Sequence, residues 1–136
     1  MKTKKDIVVS GKRKTAIARA TIKKGKGRVL INKVPYENLR EFHRLMISEP
    51  IKIAKEVLGK FDFDISVRVK GGGAESQIEA SRLAISKALV KITGSKKLRD
   101  VLESYDRQLL VADIRRKETY KPGDSKARRK RQKSYR

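Results

Sequence analysis

The sequence predicts an α+β domain of two layers, a sheet packed on helices. Three observations predict it. Residues 61–70 alternate apolar and polar without a break, the spacing turns helical after the glycines at 71–73, and a chain of 136 residues can build one core. The elements follow in order along the chain. Ile7, Val8 and Val9 suggest a first strand, and residues 15–23 alternate as a second, with Ala16, Ala18, Ala20 and Ile22 on one face. Gly25 and Gly27 supply a turn, so the apolar run Val29, Leu30, Ile31 reads as the hairpin partner of that second strand. Leu39, Phe42 and Met46 suggest a helix, and Pro50 is expected to open another one carrying Ile53, Ala54, Val57 and Leu58. In the strand at 61–70, Phe61, Phe63, Ile65, Val67 and Val69 face inward. Ile78, Ala84, Ile85, Ala88, Leu89 and Ile92 then form the stripe of a helix that Gly94 ends. Ser95 is placed to cap a shorter helix with Leu98, Val101, Leu102 and Tyr105 at i, i+3, i+4 and i+7.

Charge divides the chain differently. The sequence holds 37 Lys+Arg against 15 Asp+Glu, a net of +22. Residues 1–28 contribute +10, residues 29–112 only +4 and residues 113–136 another +8. The middle is that of an ordinary soluble domain, and the excess at both ends calls for a polyanionic partner, most often nucleic acid. Residues 125–136, SKARRKRQKSYR, contain seven cations and no carboxylate. Such a segment buries too little apolar surface to offset roughly 1–2 kcal/mol of backbone entropy per ordered residue. With Pro122 and Gly123 as a break upstream, the division is a globular domain over 1–106 and an extended basic tail over 107–136.

The same composition excludes several classes. Cys is absent and His43 is the sole imidazole, so thiolate and His-rich metal sites are excluded, and a reducing compartment is expected. No apolar stretch approaches the roughly 18–20 residues of a bilayer span, and MKTKKDIVVSGK lacks a signal-peptide core, so no membrane partner is expected. His43 has no legible nucleophile or orienting carboxylate and is read as a structural or surface histidine. Gly71-Gly72-Gly73 sits between strand and helix, but GGGAES fits neither a P-loop nor a dinucleotide fingerprint. It reads as a permissive turn that also lets backbone N–H groups beside Lys70 approach a phosphate. Lys12, Arg13 and Lys14 at the entry to the second strand, with Arg19, Lys23, Lys24, Lys26 and Arg28, form a basic region better suited to phosphate than to water alone. Asp62 and Asp64 share a strand face with Arg68 and Lys70, which favours cross-strand ion pairs over a metal pair. The tail by itself fits RNA, a nuclear-import address or an anionic membrane surface; the basic region on the domain favours an extended nucleic-acid footprint. Rival classes are a nucleotide-dependent enzyme, which lacks a phosphate loop and metal carboxylate here, and a DNA-compacting protein.

Taken together, GKRKTAIARA (11–20), GRVLINKVP (27–35), VRVKGGG (67–73), the Gln77 helix SQIEASRLAISKAL, LLVADIRRKETYKPG (109–123) and KARRKRQKSYR (126–136) resemble the ninth protein of the small ribosomal subunit. They cover nearly the whole chain in that family's order, and the ending QKSYR is similar to the archaeal and eukaryotic branch, with archaeal preferred. The resemblance implies a two-layer α/β fold with a mostly antiparallel sheet and a left-handed β-α-β crossover. It also implies a structural, non-enzymatic role in the cytoplasm without cofactor. The implied partners are small-subunit ribosomal RNA in the subunit head, neighbouring head proteins and the peptidyl-site tRNA. Carried over by position, ribosomal RNA contacts fall on Lys12, Arg13, Lys14, Arg19, Lys70, Gly71, Gly72, Gly73, Arg115, Arg116, Lys121, Lys126, Arg128, Arg129, Lys130, Arg131 and Lys133. Contacts to the tRNA anticodon stem-loop fall on Ser134, Tyr135 and Arg136. Ser76 stands where the family often has Gly. Val111-Ala112 replaces a Thr-Arg found in some members, so no RNA contact is assigned to those two positions.

Overall fold

The computed structural model describes residues 6–123, 126–128 and 134–135. Five strands form one sheet: β1 (Ile7–Arg13), β2 (Ala16–Lys24), β3 (Val29–Ile31), β4 (Val34–Pro35) and β5 (Phe63–Lys70). Three helices complete the fold: α1 (Glu41–Leu58), α2 (Ala74–Thr93) and α3 (Lys96–Tyr105). The strand order is β1-β2-β5-β3-β4, antiparallel except for the β3–β5 pair. The α+β architecture expected from the residues is present, and β3, α1 and β5 make a β-α-β unit.

The alternation read from the sequence governs which side chains enter the core. Ala16, Ala18, Ala20 and Ile22 on β2 are fully buried, as are Val67 and nearly so Ile65 on β5. Phe61 is buried although β5 starts only at Phe63. Helix ends also follow local chemistry. Gly94 closes α2 in the left-handed conformation, and the Ser95 hydroxyl accepts from the Leu98 N–H at 3.2 Å to cap α3.

Two expectations fail, each for a tertiary reason. Val29–Ile31 is not the hairpin partner of β2, because β5 lies between them and pairs with β2 over eight residues, Ile17 with Lys70 through Lys24 with Phe63. A three-residue strand cannot compete with that length of ladder. The Gly25–Arg28 loop instead passes over the start of β5, where the Asp64 carboxylate accepts the Lys26 and Arg28 N–H groups at 2.9 and 3.1 Å. The chain makes its true hairpin at Asn32-Lys33, both at positive φ, into the unforeseen β4. Asn32 also extends the β5 ladder, its Oδ1 accepting from Val69 N–H at 2.9 Å.

Pro50, expected to begin a helix, lies inside α1. An internal proline costs about 3 kcal/mol. The buried residues are His43, Ile47, Ser48, Pro50, Ile51, Ile53 and Ala54, and burying Ile47 and Ile51 alone contributes about 3–6 kcal/mol, enough to hold the helix through the proline. Of the residues expected to face inward, Ile53 and Ala54 are buried and Leu39, Met46, Val57 and Leu58 pack against the core, whereas Phe42 is 63% exposed. The core also reaches past the expected boundary at 106: Leu109, in a short 3-10 turn over Arg107–Leu109, is fully buried.

Helix α2 lies close against β1 and β2 because the facing residues are small. A Cβ on Gly11 would meet Ala80 O at 2.6 Å and Ala84 N at 2.8 Å, both backbone atoms of α2. Gly11→Ala should therefore lower stability by about 1–3 kcal/mol through overpacking. The expected result is a lower urea midpoint with an unchanged m-value; an unchanged midpoint would show that α2 can move away at no cost.

Candidate nucleic-acid interface

The β1–β2 hairpin turns in two residues, Lys14 and Thr15, with Lys14 at φ 52°. Alternation then separates the fates of the three consecutive cations. Lys12 and Lys14 are exposed, whereas Arg13 points inward on the same face as Gly11. Its Nε donates to Glu79 on α2 at 2.6 Å, and its NH1 lies 3.2 Å from the Asp113 carboxylate. Arg13 was assigned to phosphate with its neighbours; in this fold its guanidinium is held by two carboxylates and ties the hairpin to α2 and to the C-terminal segment.

Asp113 is the second organiser. It accepts from Arg115 through backbone N–H at 3.0 Å and side-chain NH2 at 2.7 Å. Hydrogen bonds from Arg115 and the nearby Arg13 charge hold the Asp113 carboxyl well below the usual carboxylate range. The segment after Asp113 is thereby bent back onto the hairpin, and Arg116 NH1 donates to the Asp113 and Arg115 carbonyls at 2.9 Å each. Between them lies a cavity of about 540 Å³ lined by Arg13, Lys14, Thr15, Arg115, Arg116 and Lys117. Only Thr15 among these is uncharged, and no carboxylate among the described residues lines it.

The glycine turn adjoins the same place. Gly71 and Gly72 have φ of 79° and 63°, and a Cβ on Gly71 would lie 2.6 Å from Thr15 O. Glycine is thus required there by both conformation and space, and it brings the exposed Lys70–Gly73 backbone against the hairpin turn. Gln77 Nε2 closes the turn on Gly71 O at 3.1 Å. The first turn of α2 carries Glu75, whose Oε1 meets His43 Nε2 at 2.8 Å, so the lone histidine joins α1 to α2.

The outer face of the sheet continues the basic surface. Lys12, Ile17 and Lys70 lie in one cross-strand row, and Ser10, Arg19 and Arg68 in the next. None of these four cations reaches a carboxylate among the described residues. The expected cross-strand ion pairs of this strand face do not form among the described residues. Asp62 meets Lys60 at 3.2 Å, and Asp64 is occupied by backbone N–H groups, that of Arg28 foremost, which lower its pKa. Arg68 was therefore missed as a candidate; its strand parity, the same as Lys70, was the available signal.

Farther along, Lys121 and Lys126 are exposed, and Arg128 Nε meets Glu118 at 3.0 Å. Lys117 Nζ lies 5.0 Å from the centre of the Tyr120 ring. Ser134 is exposed, and Tyr135 is 87% exposed. Arg129, Lys130, Arg131, Lys133 and Arg136 lie outside the described residues. The hairpin, the glycine turn and the 113–117 segment thus meet at one end of the sheet.

The family model described as ribosomal protein S9/S16 matches residues 11–136. The chain is similar to the small ribosomal subunit protein uS9 of Methanococcus vannielii, 47% identical over 129 residues that cover 93% of this chain and 95% of the relative. The uS9 proteins of Methanococcus maripaludis strains C5 and C7 are 49% and 50% identical over the same shares. These archaeal relatives agree with the branch suggested by the ending QKSYR.

Because Asp113 has a depressed pKa in the folded chain, its contribution is complete above the ordinary carboxylate pKa of about 4 and is lost as pH falls below it. Asp113→Asn should loosen the 113–117 segment, with faster tryptic cleavage at Arg115 and Arg116 at neutral pH. Its Tm deficit against wild type should shrink as pH falls from about 7 toward 3. A deficit independent of pH would show that the carboxylate charge does not hold the segment.

Proposed function

Since the chain belongs to the ribosomal protein S9/S16 family, we propose that it is a structural, non-enzymatic constituent of the small ribosomal subunit, working in translation. Its folded domain anchors on small-subunit ribosomal RNA in the subunit head beside neighbouring head proteins. Its basic C-terminal segment extends through RNA toward the peptidyl-site tRNA. The observation that carries the RNA reading is the convergence of the hairpin turn, the glycine turn and Arg115–Lys117 around one cavity lined by cations.

Each part has a physical role. Lys12, Lys14, Arg19, Lys70, Arg115 and Arg116 supply charge-assisted contacts to phosphate, and Gly71, Gly72 and Gly73 admit the RNA backbone closely. Arg13 organises that surface from beneath. The tail is taken as 107–136, its first residues seated on the domain through Leu109 and Asp113. Lys121, Lys126, Arg128, Arg129, Lys130, Arg131 and Lys133 line the path through RNA, and Ser134, Tyr135 and Arg136 meet the anticodon stem-loop. Twelve extended residues reach on the order of 40 Å, which no folded domain could do in a channel between RNA helices. Phosphate contacts carry no sequence information, which suits a site that receives every tRNA.

If the seven cations of residues 125–136 all meet phosphate, log K for RNA should fall with log[salt] about 5–6 units more steeply than in a chain lacking those residues, at roughly 0.7–0.9 per phosphate. No change in slope on that deletion would remove the tail as an anchor. Deleting Arg136 alone should weaken peptidyl-site tRNA binding while the protein still co-sediments with small subunits through high salt. Failed assembly with unchanged tRNA binding in the subunits that do form would overturn the tRNA role.

A further inference from the structure

The outer sheet face carries a feature that works against the fold. Arg19 on β2 and Arg68 on β5 are direct cross-strand partners, both exposed. Directly opposed Cα atoms lie about 4.5–5.5 Å apart, so two arginine side chains start side by side on the same face. Like charges so placed destabilise a sheet, and no carboxylate among the described residues relieves them. The nearest acid on that face of β5, Asp64, is already committed to the Lys26 and Arg28 N–H groups.

The neighbouring rows sharpen the pattern. On the side of the hairpin turn, Lys12 and Lys70 flank Ile17, which is 44% exposed. On the other side, Val8, Thr21, Ser66 and Leu30 form a row without charge. Beyond that row Lys23 stands opposite Asp64, so the two rows by the hairpin turn are those that hold cations with no acid in the row. Side chains two residues apart on a strand are separated by about 6.8 Å, the scale of the spacing between neighbouring phosphates along one nucleic-acid strand.

We propose that Arg19 and Arg68 clamp a single phosphate of an RNA backbone between them, and that Lys12 and Lys70 receive the next phosphate across Ile17. This rests on the RNA-binding reading above and adds to it a site, a ligand group and the residue Arg68. Two planar guanidinium forks can share the oxygens of one phosphate, and that anion removes the repulsion between them. Ile17 offers an apolar floor to the intervening ribose. With both guanidinium groups committed to phosphate oxygens, and no aromatic ring or side-chain amide in the two rows, the clamp is indifferent to sequence.

The test uses the full chain with Arg19→Gln, Arg68→Gln and the double variant. Each single substitution should leave Tm unchanged or raise it, since it removes repulsion; a fall in Tm would mark a structural residue and overturn the proposal. Each should also lower the salt slope of binding to small-subunit ribosomal RNA by about 0.7–0.9, the value of one phosphate. Because both arginines serve one phosphate, the double variant should lose little more than either single. A double loss equal to the sum would mean two independent contacts and overturn the clamp. The loss should be the same on polyuridine RNA; a loss confined to ribosomal RNA would mean base or shape reading instead. If the singles change nothing while deletion of 125–136 still lowers the slope, the clamp fails and the broader reading stands. Absence of salt-dependent RNA binding by the whole chain would overturn that reading itself.

Discussion

The close seating of α2 on β1 and β2 is the constraint on which the rest of the molecule depends. Gly11 leaves no side chain between β1 and the α2 backbone, and Ala16, Ala18 and Ala20 present the smallest possible buried row beside it. Ala80, Ala84 and Ala88 answer from the helix, all fully buried. A layer this thin places the N-terminal half of α2 within reach of the hairpin end. Glu79 can then hold Arg13, and the Gly71–Gly72 turn is forced against Thr15. Larger residues along this seam would separate the very segments that form the basic end of the sheet.

The scarce acidic residues follow a consistent division of labour. Glu79 and Asp113 hold Arg13, Glu49 and Asp106 both hold Arg82, and Asp64 holds the Gly25–Arg28 loop by its N–H groups. Arg82, on α2, thereby links α1 to the end of α3, with Tyr105 close enough to Glu49 for that carboxylate to raise its pKa. These carboxylates act inside the fold, at junctions between elements. Among the described residues, Lys12, Lys14, Arg19, Arg68 and Lys70 are left without a carboxylate partner, where a polyanion can reach them.

Helix α1 shows packing overruling local preference. The proline argues for two short helices, and a single helix of 18 residues forms. Its buried face meets α2 and α3, and Ile47, Ile51 and Ala54 gain more from that contact than the missing amide costs. His43 belongs to the same face, which explains why a lone imidazole beside an exposed Phe42 is buried and paired with Glu75.

Much of the fold and part of the site were legible in the residues themselves. Alternation along β2 and β5, the Gly94 stop and the Ser95 cap depend on neighbours within a few positions, so the amino-acid order alone decides them. The partition of charge, and hence a polyanionic partner, is likewise a property of the chain. Strand order was not legible, because a period of two says which face is buried but not which edge is paired; only the length match of β2 and β5 inserted one beside the other. The fates of Lys12, Arg13 and Lys14 could not be separated by composition, since one residue of register sends Arg13 to Glu79 and Asp113 and its neighbours to solvent. Nor could the opposition of Arg19 and Arg68, nearly fifty positions apart, be foreseen. The sequence by itself determined what each segment is made to do; the tertiary structure decided which segments meet, because that choice rests on contacts between residues far apart in the chain.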